Sequence, residues 1–582
     1  MKHRKRRRRT KLSAEEKAKR RQQHKLRKRI VSAFTKSGFV RIPSRNRKIM
    51  FGSRQSELDD IFVYKNIVVI TEDTCLSSSD DVREHLLKKS LLYKDIVSRP
   101  SEFIDTLNNY FPTLQKQLQP KYQSSDIILK ILYCSATRLE ERHKADFSYI
   151  TFLEERPLQY FEALSRVLGR SARFEFFKYF NIRQKDICQP PSRNIVSYEA
   201  FALPDSPSGF PGGFRLFTFY IDPETLMRLG FVLRKDGWLD SGGLYQRMIS
   251  RRKILNMRRF LGEQQRVFIN NIIVSLPSEC RLRYDQHERD MKELIQHKAV
   301  TIEIPSEFNT IGIIDGQHRV FAYHEGDDNY EAKIAIKRSK HLLLATGLIY
   351  PSEMTDDDRR EFEAKIFLEI NDKQTRTRSE LRQAIEAIVN PFSKLAIART
   401  VIEKLANNGP LCGRIAEHEF DRGKLKSSSI VSYGLNHVVK CEGNDSLFQL
   451  WQHPQKELFR DSVFAASEEL KTKPRVSRNT LIDYIEFCAR KTNDILIAFK
   501  RVMDRKCLWV EDKKTSRAIT TTSINGVIHC LRAVIENKKT GDQEYYFKAL
   551  QKMSIDFSAT GFKFKSSHWR DLGLQIYEQC FR

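Results

Sequence analysis

The densest chemistry in the chain lies in five consecutive residues: Asp315, Gly316, Gln317, His318 and Arg319. A short apolar run, Ile311 to Ile314, precedes them, and a helical pattern, Gln317 to Glu325, follows, with Gly326 placed to close it. A strand thus delivers the pentapeptide to the first turn of a helix, where backbone N–H groups lack partners and the helix end is partly positive. Gly316 lets a ligand approach the backbone closely. His318 and Arg319 add donors, and a guanidinium can clamp phosphate through two parallel hydrogen bonds. Asp315 fits beside a phosphate only if it orients one of those cations or holds a metal that bridges to the phosphate. The chemistry indicated is anion binding; the alternative is an ordinary strand–turn–helix corner closed by an Asp–Arg pair. His324, further along, reads as a surface helix residue.

A second group of charged residues brackets a hairpin. Ile61 to Tyr64 and Ile67 to Ile70 are apolar runs flanking a Lys65-Asn66 turn. Glu57, Asp59 and Asp60 stand before it, and Glu72 and Asp73 after it. Carboxylate oxygens at adjacent strand ends suit a hard cation such as magnesium, and they equally suit solvated turns. The hairpin resembles the core of PD-(D/E)xK restriction-endonuclease-like proteins, in which an acidic residue on one strand and an E-x-K on the next hold a divalent metal beside DNA. Glu72 fits that pattern, but Thr74 stands where the lysine belongs. Lys88 or Lys89, on the helix predicted from Ser79 to Val97, is the only nearby substitute. The resemblance therefore implies a degenerate nuclease-like domain more readily than an active one.

These groups sit in a strongly basic chain of 582 residues with net charge +29, a balance that points to a polyanionic partner. Met1 to Ile30 holds 16 Lys and Arg against Glu15 and Glu16, so about half the excess lies there. A tail of this composition cannot bury a core. Residues 1–39 are expected to be a disordered basic tail that contacts phosphates through Arg6, Arg7, Arg8, Arg9, Arg27, Lys28 and Arg29, its 14–29 segment becoming helical on nucleic acid. The ten cysteines include no CxxC pair, and there is no HExxH, so the usual zinc signatures are absent. No apolar run approaches membrane-spanning length and no signal-peptide h-region follows the basic start, so a cytoplasmic protein without a membrane partner is expected.

The expected organisation is α/β and multidomain: the tail, an α/β domain at 40–189, a second domain at 190–394 and a mostly helical domain at 395–582. Helices are predicted at Pro157 to Phe180, Asn479 to Met503 and Thr522 to Glu536. Pro190 to Gly213, rich in Pro, Ser and Gly, reads as the linker at the main boundary. Around the pentapeptide, a helix from near Met248, strands at Asn271 to Leu276, Lys333 to Lys337 and His341 to Ile349, and a helix at Glu380 to Val389 opened by Thr377 complete the pattern.

Asp315 to Arg319, with Ala322 three residues on, resembles the DGQHR domain family, which includes DndB proteins of DNA phosphorothioation systems and belongs with the ParB and sulfiredoxin-like fold. Tyr245 to Pro277 looks like that family's opening unit, and Ile366 to Arg382 resembles its "INxxQ" element. The likeness covers roughly Phe214 to Phe392. It implies a ParB-like central domain that binds a nucleotide, a triphosphate with Mg2+, through Asp315, Gly316, Gln317, His318 and Arg319, with Arg247, Asn371 and Gln374 as further contacts. It implies a DNA-associated accessory or regulatory protein working with DNA-modification or phage-defence proteins, with slow nucleoside triphosphate hydrolysis as its enzymatic option. A metal-dependent nuclease with a DGQHR sensor and a DNA-binding scaffold without nucleotide are the rivals. Self-association through the helical domain is a further partner expectation.

Overall fold

The structure, a computed structural model, describes residues 13–76, 78–118, 121–187, 195–204, 208–210, 212–234, 246, 248–283, 297–372, 379–416, 421, 423–467 and 476–582. The chain divides into two compact units: residues 1–233, 237–239 and 248–354, and residues 234–236, 240–247 and 355–582.

The first unit opens with helix α1, Ala14–Lys36. Leu26, Ile30, Ala33 and Phe34 recur at three- and four-residue steps and are buried. This corrects the expected boundary of the basic tail, because apolar residues after position 25 give that segment a face to bury. Strands β1 (Val40–Pro43), β2 (Lys48–Phe51), β3 (Arg54–Glu57), β4 (Asp60–Tyr64), β5 (Ile67–Thr74), β6 (Ile128–Ser135) and β7 (Thr151–Leu153) follow. Five of them form a sheet in the order β1-β4-β5-β6-β7, while β2 and β3 pair as a separate hairpin. The predicted hairpin is present as β4–β5, with Tyr64 opposite Ile67 and Lys65 in the left-handed region at φ 52°. Side chains alternate across β5: Val68 and Ile70 join the core that includes Val82 and Leu86 of helix α2, Ser79–Ser98. Phe62, on the opposite face of the sheet, stacks on Phe34. The predicted helix from Pro157 to Phe180 is broken: helix α3, Glu155–Leu168, ends in a 3-10 turn at Gly169–Ala172 before a short helix at Arg173–Tyr179.

The second sheet has eight strands: β8 (Ile195–Leu203), β9 (Arg215–Ile221), β10 (Gly230–Phe231), β11 (Ile272–Leu276), β12 (Arg281–Arg283), β13 (Lys298–Pro305), β14 (Ile311–Asp315) and β15 (Leu343–Ile349). Their order is β10-β14-β11-β15-β9-β8-β13-β12. Strand β8 lies inside the expected linker, because Val196 to Ala202 supplies an alternating apolar face that pairs with β9 and β13. Helices α4 (Arg251–Gln264), α5 (Gln317–Phe321) and α6 (Glu331–Ala335) accompany this sheet. Helix α6 replaces the strand expected at Lys333 to Lys337: Ile334 alone is buried, and both lysines reach carbonyls of α4. Both sheets belong to one compact unit, so the expected boundary at 190 does not separate two bodies. Arg173 pairs with Glu325, Arg170 with Asp327 at 2.8 Å, and Gln184 N–H donates to Glu307 at 2.9 Å.

The second unit is mostly helical, and its main stretch, 355–582, takes in the helical domain expected at 395–582 together with two preceding helices. Asp356–Asp372 and Ser379–Val389 belong to it, together with Lys394–Asn407, Arg478–Arg505, Thr521–Glu536 and Trp569–Cys580. Its core includes Ile397, Tyr484, Phe499, Ile528 and Leu572. Among the described residues no helix is long and apolar enough to cross a membrane.

Phe34 is fully buried, with ring centroids 4.4 Å from Phe62 and 4.6 Å from Phe176. Phe34→Ala should therefore lower the stability of the first unit by about 3–5 kcal/mol, seen as an earlier urea midpoint. An unchanged midpoint would show that α1 is not part of the core.

Candidate functional site

The pentapeptide lies where β14 turns into α5. Strand β11 runs beside β14 and pairs Ile273 with Asp315. Gly316 sits at φ 98°, and a Cβ there would stand 2.6 Å from Ile272 Cδ1. The turn therefore demands glycine for both conformation and space. Arg319 donates from one terminal nitrogen to the Asn271 carbonyl at 2.7 Å and from the other to Asp315 Oδ2 at 2.5 Å. Its side chain is 16 % exposed, and these two partners fix its guanidinium. His318 points elsewhere: its Nε2 accepts the Ser250 N–H at 3.0 Å, and Ser250 is the N-cap of α4. A ring nitrogen that accepts carries no proton, which places the neutral ring's proton on Nδ1. Gln317 is buried.

Helix α5 spans only Gln317–Phe321, shorter than the sequence pattern implies. The chain leaves it early because Arg258 takes the carbonyls of Ala322 and His324 at 3.0 and 2.7 Å. His324 is buried instead of lying on the surface, and burial and the neighbouring Arg258 push its pKa down to about 4. Gly326 is not a helix cap; a Cβ there would stand 2.9 Å from the Arg258 guanidinium.

Of the other expected contacts, Arg247 and Gln374 lie outside the described residues, as does the side chain of Asn371, whose backbone is helical. Arg6, Arg7, Arg8 and Arg9 also lie outside them. Arg27 and Arg29, expected to contact phosphate, are engaged by carboxylates of the chain itself. Arg27 donates to Asp60 Oδ2 at 2.7 Å and to the Asp59 carbonyl at 2.8 Å, and Arg29 pairs with Glu155 and Glu162, both at 2.8 Å. Both lie on the half-buried flanks of α1, where neighbouring carboxylates claim them. The solvent face of α1 carries Lys28 together with Lys17, Arg20, Arg21 and Lys25, all exposed.

The acidic hairpin forms a second cluster. Alternation along β5 turns Glu72 toward α2 and Asp73 toward α1. Glu72 is buried and pairs with Lys89 of α2, and His85 Nε2 stands 3.7 Å from the same carboxylate. His85 Nδ1 meets the Tyr133 hydroxyl at 2.7 Å. Asp73 N–H donates to Asp59 Oδ2 at 2.8 Å, and Gln23 donates to Asp73 Oδ1 at 3.2 Å. Asp60 is taken up by Arg27 and Arg41. Burial pushes Glu72 up to about 7 despite Lys89, and burial with Asp59 pushes Asp73 up to about 6. Lys89 had a sequence signal: with Val82, His85, Leu86 and Tyr93 it falls on the face of α2 that turns to the sheet. Asn271 had none, because it contributes a backbone carbonyl that any residue supplies. Among the described residues no group of three or more His, Cys, Asp or Glu stands together that could hold a metal ion.

No protein-family model, curated protein or solved structure matches this chain.

The raised Glu72 value fixes the sign of a pH effect. The folded chain holds this proton more tightly than the unfolded one, so the stability it contributes is full below pH 4.5 and is lost as pH rises through about 7. Urea unfolding across that interval should show wild-type stability falling with pH more steeply than in Glu72→Gln. Parallel pH profiles would mean that Glu72 is not the buried acid described.

Proposed function

We propose that this chain is a DNA-associated accessory or regulatory protein of a DNA-modification or phage-defence system, and that it binds a nucleotide at the Asp315–Arg319 corner. The observation that carries the reading is the state of Arg319. Its guanidinium is fixed at a glycine turn by Asp315 and the Asn271 carbonyl, its side chain is partly exposed, and it has N–H donors beyond those two. A phosphate arriving there meets a donor whose orientation is already set, which lowers the entropic cost of binding. The resemblance of Asp315 to Arg319 to the DGQHR family points the same way. His318 also serves this corner by holding the start of α4 through Nε2.

Magnesium fits as a companion of the nucleotide. Mg2+ keeps several waters and binds through one or two carboxylates plus substrate phosphates, and Asp315, 30 % exposed, is the carboxylate at hand. Bound Mg2+ would neutralise phosphate charge next to Asp315. The exposed cations of α1 support contact with DNA. Regulation follows if nucleotide binding alters affinity for DNA or for a partner of the modification machinery.

Arg319→Ala should abolish binding of nucleoside triphosphates in the presence of magnesium, read by calorimetry, while circular dichroism and the urea midpoint stay near wild type. Retained nucleotide affinity would remove the corner from the site.

A second reading is favoured by one contact. Lys89 comes from α2 to the carboxylate of Glu72 and takes the part of the lysine that Thr74 lacks, with Asp59 on the neighbouring strand end. The set resembles the acid and lysine of a metal-dependent phosphodiesterase of the PD-(D/E)xK kind. In that reading, magnesium- or manganese-dependent cleavage of DNA by the full-length chain disappears in both Glu72→Ala and Lys89→Ala and persists in Arg319→Ala. Absence of cleavage by wild type with either metal would dispose of it.

A further inference from the structure

Helix α4 is anchored on its inner face and at both ends. Ile254, Arg258, Leu261 and Gly262 are buried, and Gly262 packs so closely on Tyr330 that a Cβ would stand 2.3 Å from the ring. At its start, Ser250 Oγ accepts from Lys253 N–H, and the Ser250 N–H is held by His318. At its end, Lys337 donates to the Leu261 carbonyl at 2.9 Å and Lys333 to that of Gly262 at 3.4 Å. The helix is therefore a rigid rod fixed beside the Asp315–Arg319 corner.

Its solvent face is cationic. Arg251, Arg252, Lys253 and Arg259 are exposed, and none of their side chains makes a hydrogen bond or ion pair among the described residues. Arg266, also exposed, follows just past the helix end, its guanidinium 4.8 Å from the Phe260 ring centre. The only acidic residue from Arg251 to Arg266 is Glu263. Three of these cations stand in the first turn, where the helix dipole disfavours positive charge and where this helix has no acidic residue. In α2 the same position holds Asp80 and Asp81. The arrangement works against the isolated helix, and a bound polyanion would reverse that penalty.

The structure assigns this face to a duplex DNA backbone. Arg252 and Arg259 lie two turns apart on one side, about 10.5 Å along the axis, with Arg251 and Lys253 flanking the first. A rigid helix fits the wide B-form major groove and its bordering phosphates, whereas the deep, narrow groove of duplex RNA excludes side chains. Leu255 is the one large apolar residue strongly exposed on the helix, so insertion into a lipid surface has little to bury. This inference rests on the reading of the chain as DNA-associated and adds the surface on which DNA lies, next to the nucleotide corner.

The test uses the full-length chain, a labelled short duplex and a KCl series, comparing wild type with the triple variant Arg251→Ala, Arg252→Ala, Arg259→Ala. The expected result is weaker binding with a shallower salt dependence. The slope of log K against log salt should fall by about 0.9 per lost phosphate contact, or roughly 2.7 for three. The urea midpoint and nucleotide binding should stay at the wild-type level, and the triple Lys variant should restore most of the slope. An unchanged slope overturns the proposal, as does a loss seen only on replacing Lys17, Arg21, Lys25 and Lys28 of α1. Equal loss of binding to anionic lipid vesicles, with duplex binding intact, overturns it in favour of a membrane surface. If wild type binds no duplex even at low salt, the DNA-associated reading itself falls; if wild type binds and the α4 variant is silent, only this surface does.

Discussion

The region around the corner is organised by one buried cation. Arg258 has no exposed side-chain surface, and an unpaired guanidinium in that position would cost several kcal/mol. It is satisfied instead by Asp328 at 2.5 Å, Glu331 at 2.9 Å and the carbonyls of Ala322 and His324. Those acceptors come from the exit of α5, the loop after it and the start of α6, while the arginine comes from α4. One side chain therefore sets where three elements meet. It also explains why α5 is short, why His324 is buried and why position 326 is glycine.

The same loop meets the 3-10 turn and short helix that follow α3. Glu325 and Asp327 pair with Arg173 and Arg170, the Glu325 carbonyl accepts from Arg170 N–H at 3.2 Å, and a Cβ on Gly169 would stand 2.7 Å from that carbonyl. Two ion pairs and a backbone hydrogen bond thus tie the loop after α5 to the element that follows α3. The acidic hairpin and the pentapeptide, distant in sequence, share one compact unit.

Charge in this protein separates by use. Arg27, Arg29, Arg41, Arg170, Arg173 and Arg258 are spent on carboxylates inside the first unit. Among the described residues, the exposed cations of α1 and α4 make no ion pair with a carboxylate. A net charge of +29 says that a polyanion is a fitting partner, but only the pairing pattern distinguishes the arginines that build the fold from those that remain available.

Local pattern alone determined a good deal. The β4–β5 hairpin follows from two apolar runs around Lys65-Asn66, and α2 lies where a helix from Ser79 to Val97 was expected. The strand-to-helix corner at Gly316 and the Asp315–Arg319 pair were likewise legible, because each depends on residues within a few positions. Tertiary structure decided the rest. Strand β8 formed in a segment rich in Pro, Ser and Gly because β9 and β13 offered it partners. The stretch at Lys333 became helix because Arg258 and Arg338 captured Glu331. Arg27 was removed from the solvent-facing set by Asp60, and Lys89 was brought to Glu72 by the packing of α2 on the sheet. The physical reason is common to these cases: hydrogen-bond and charge partners far apart in the chain cannot be read from spacing, since burial makes an unmet polar group expensive and the nearest partner in space, not in sequence, meets it.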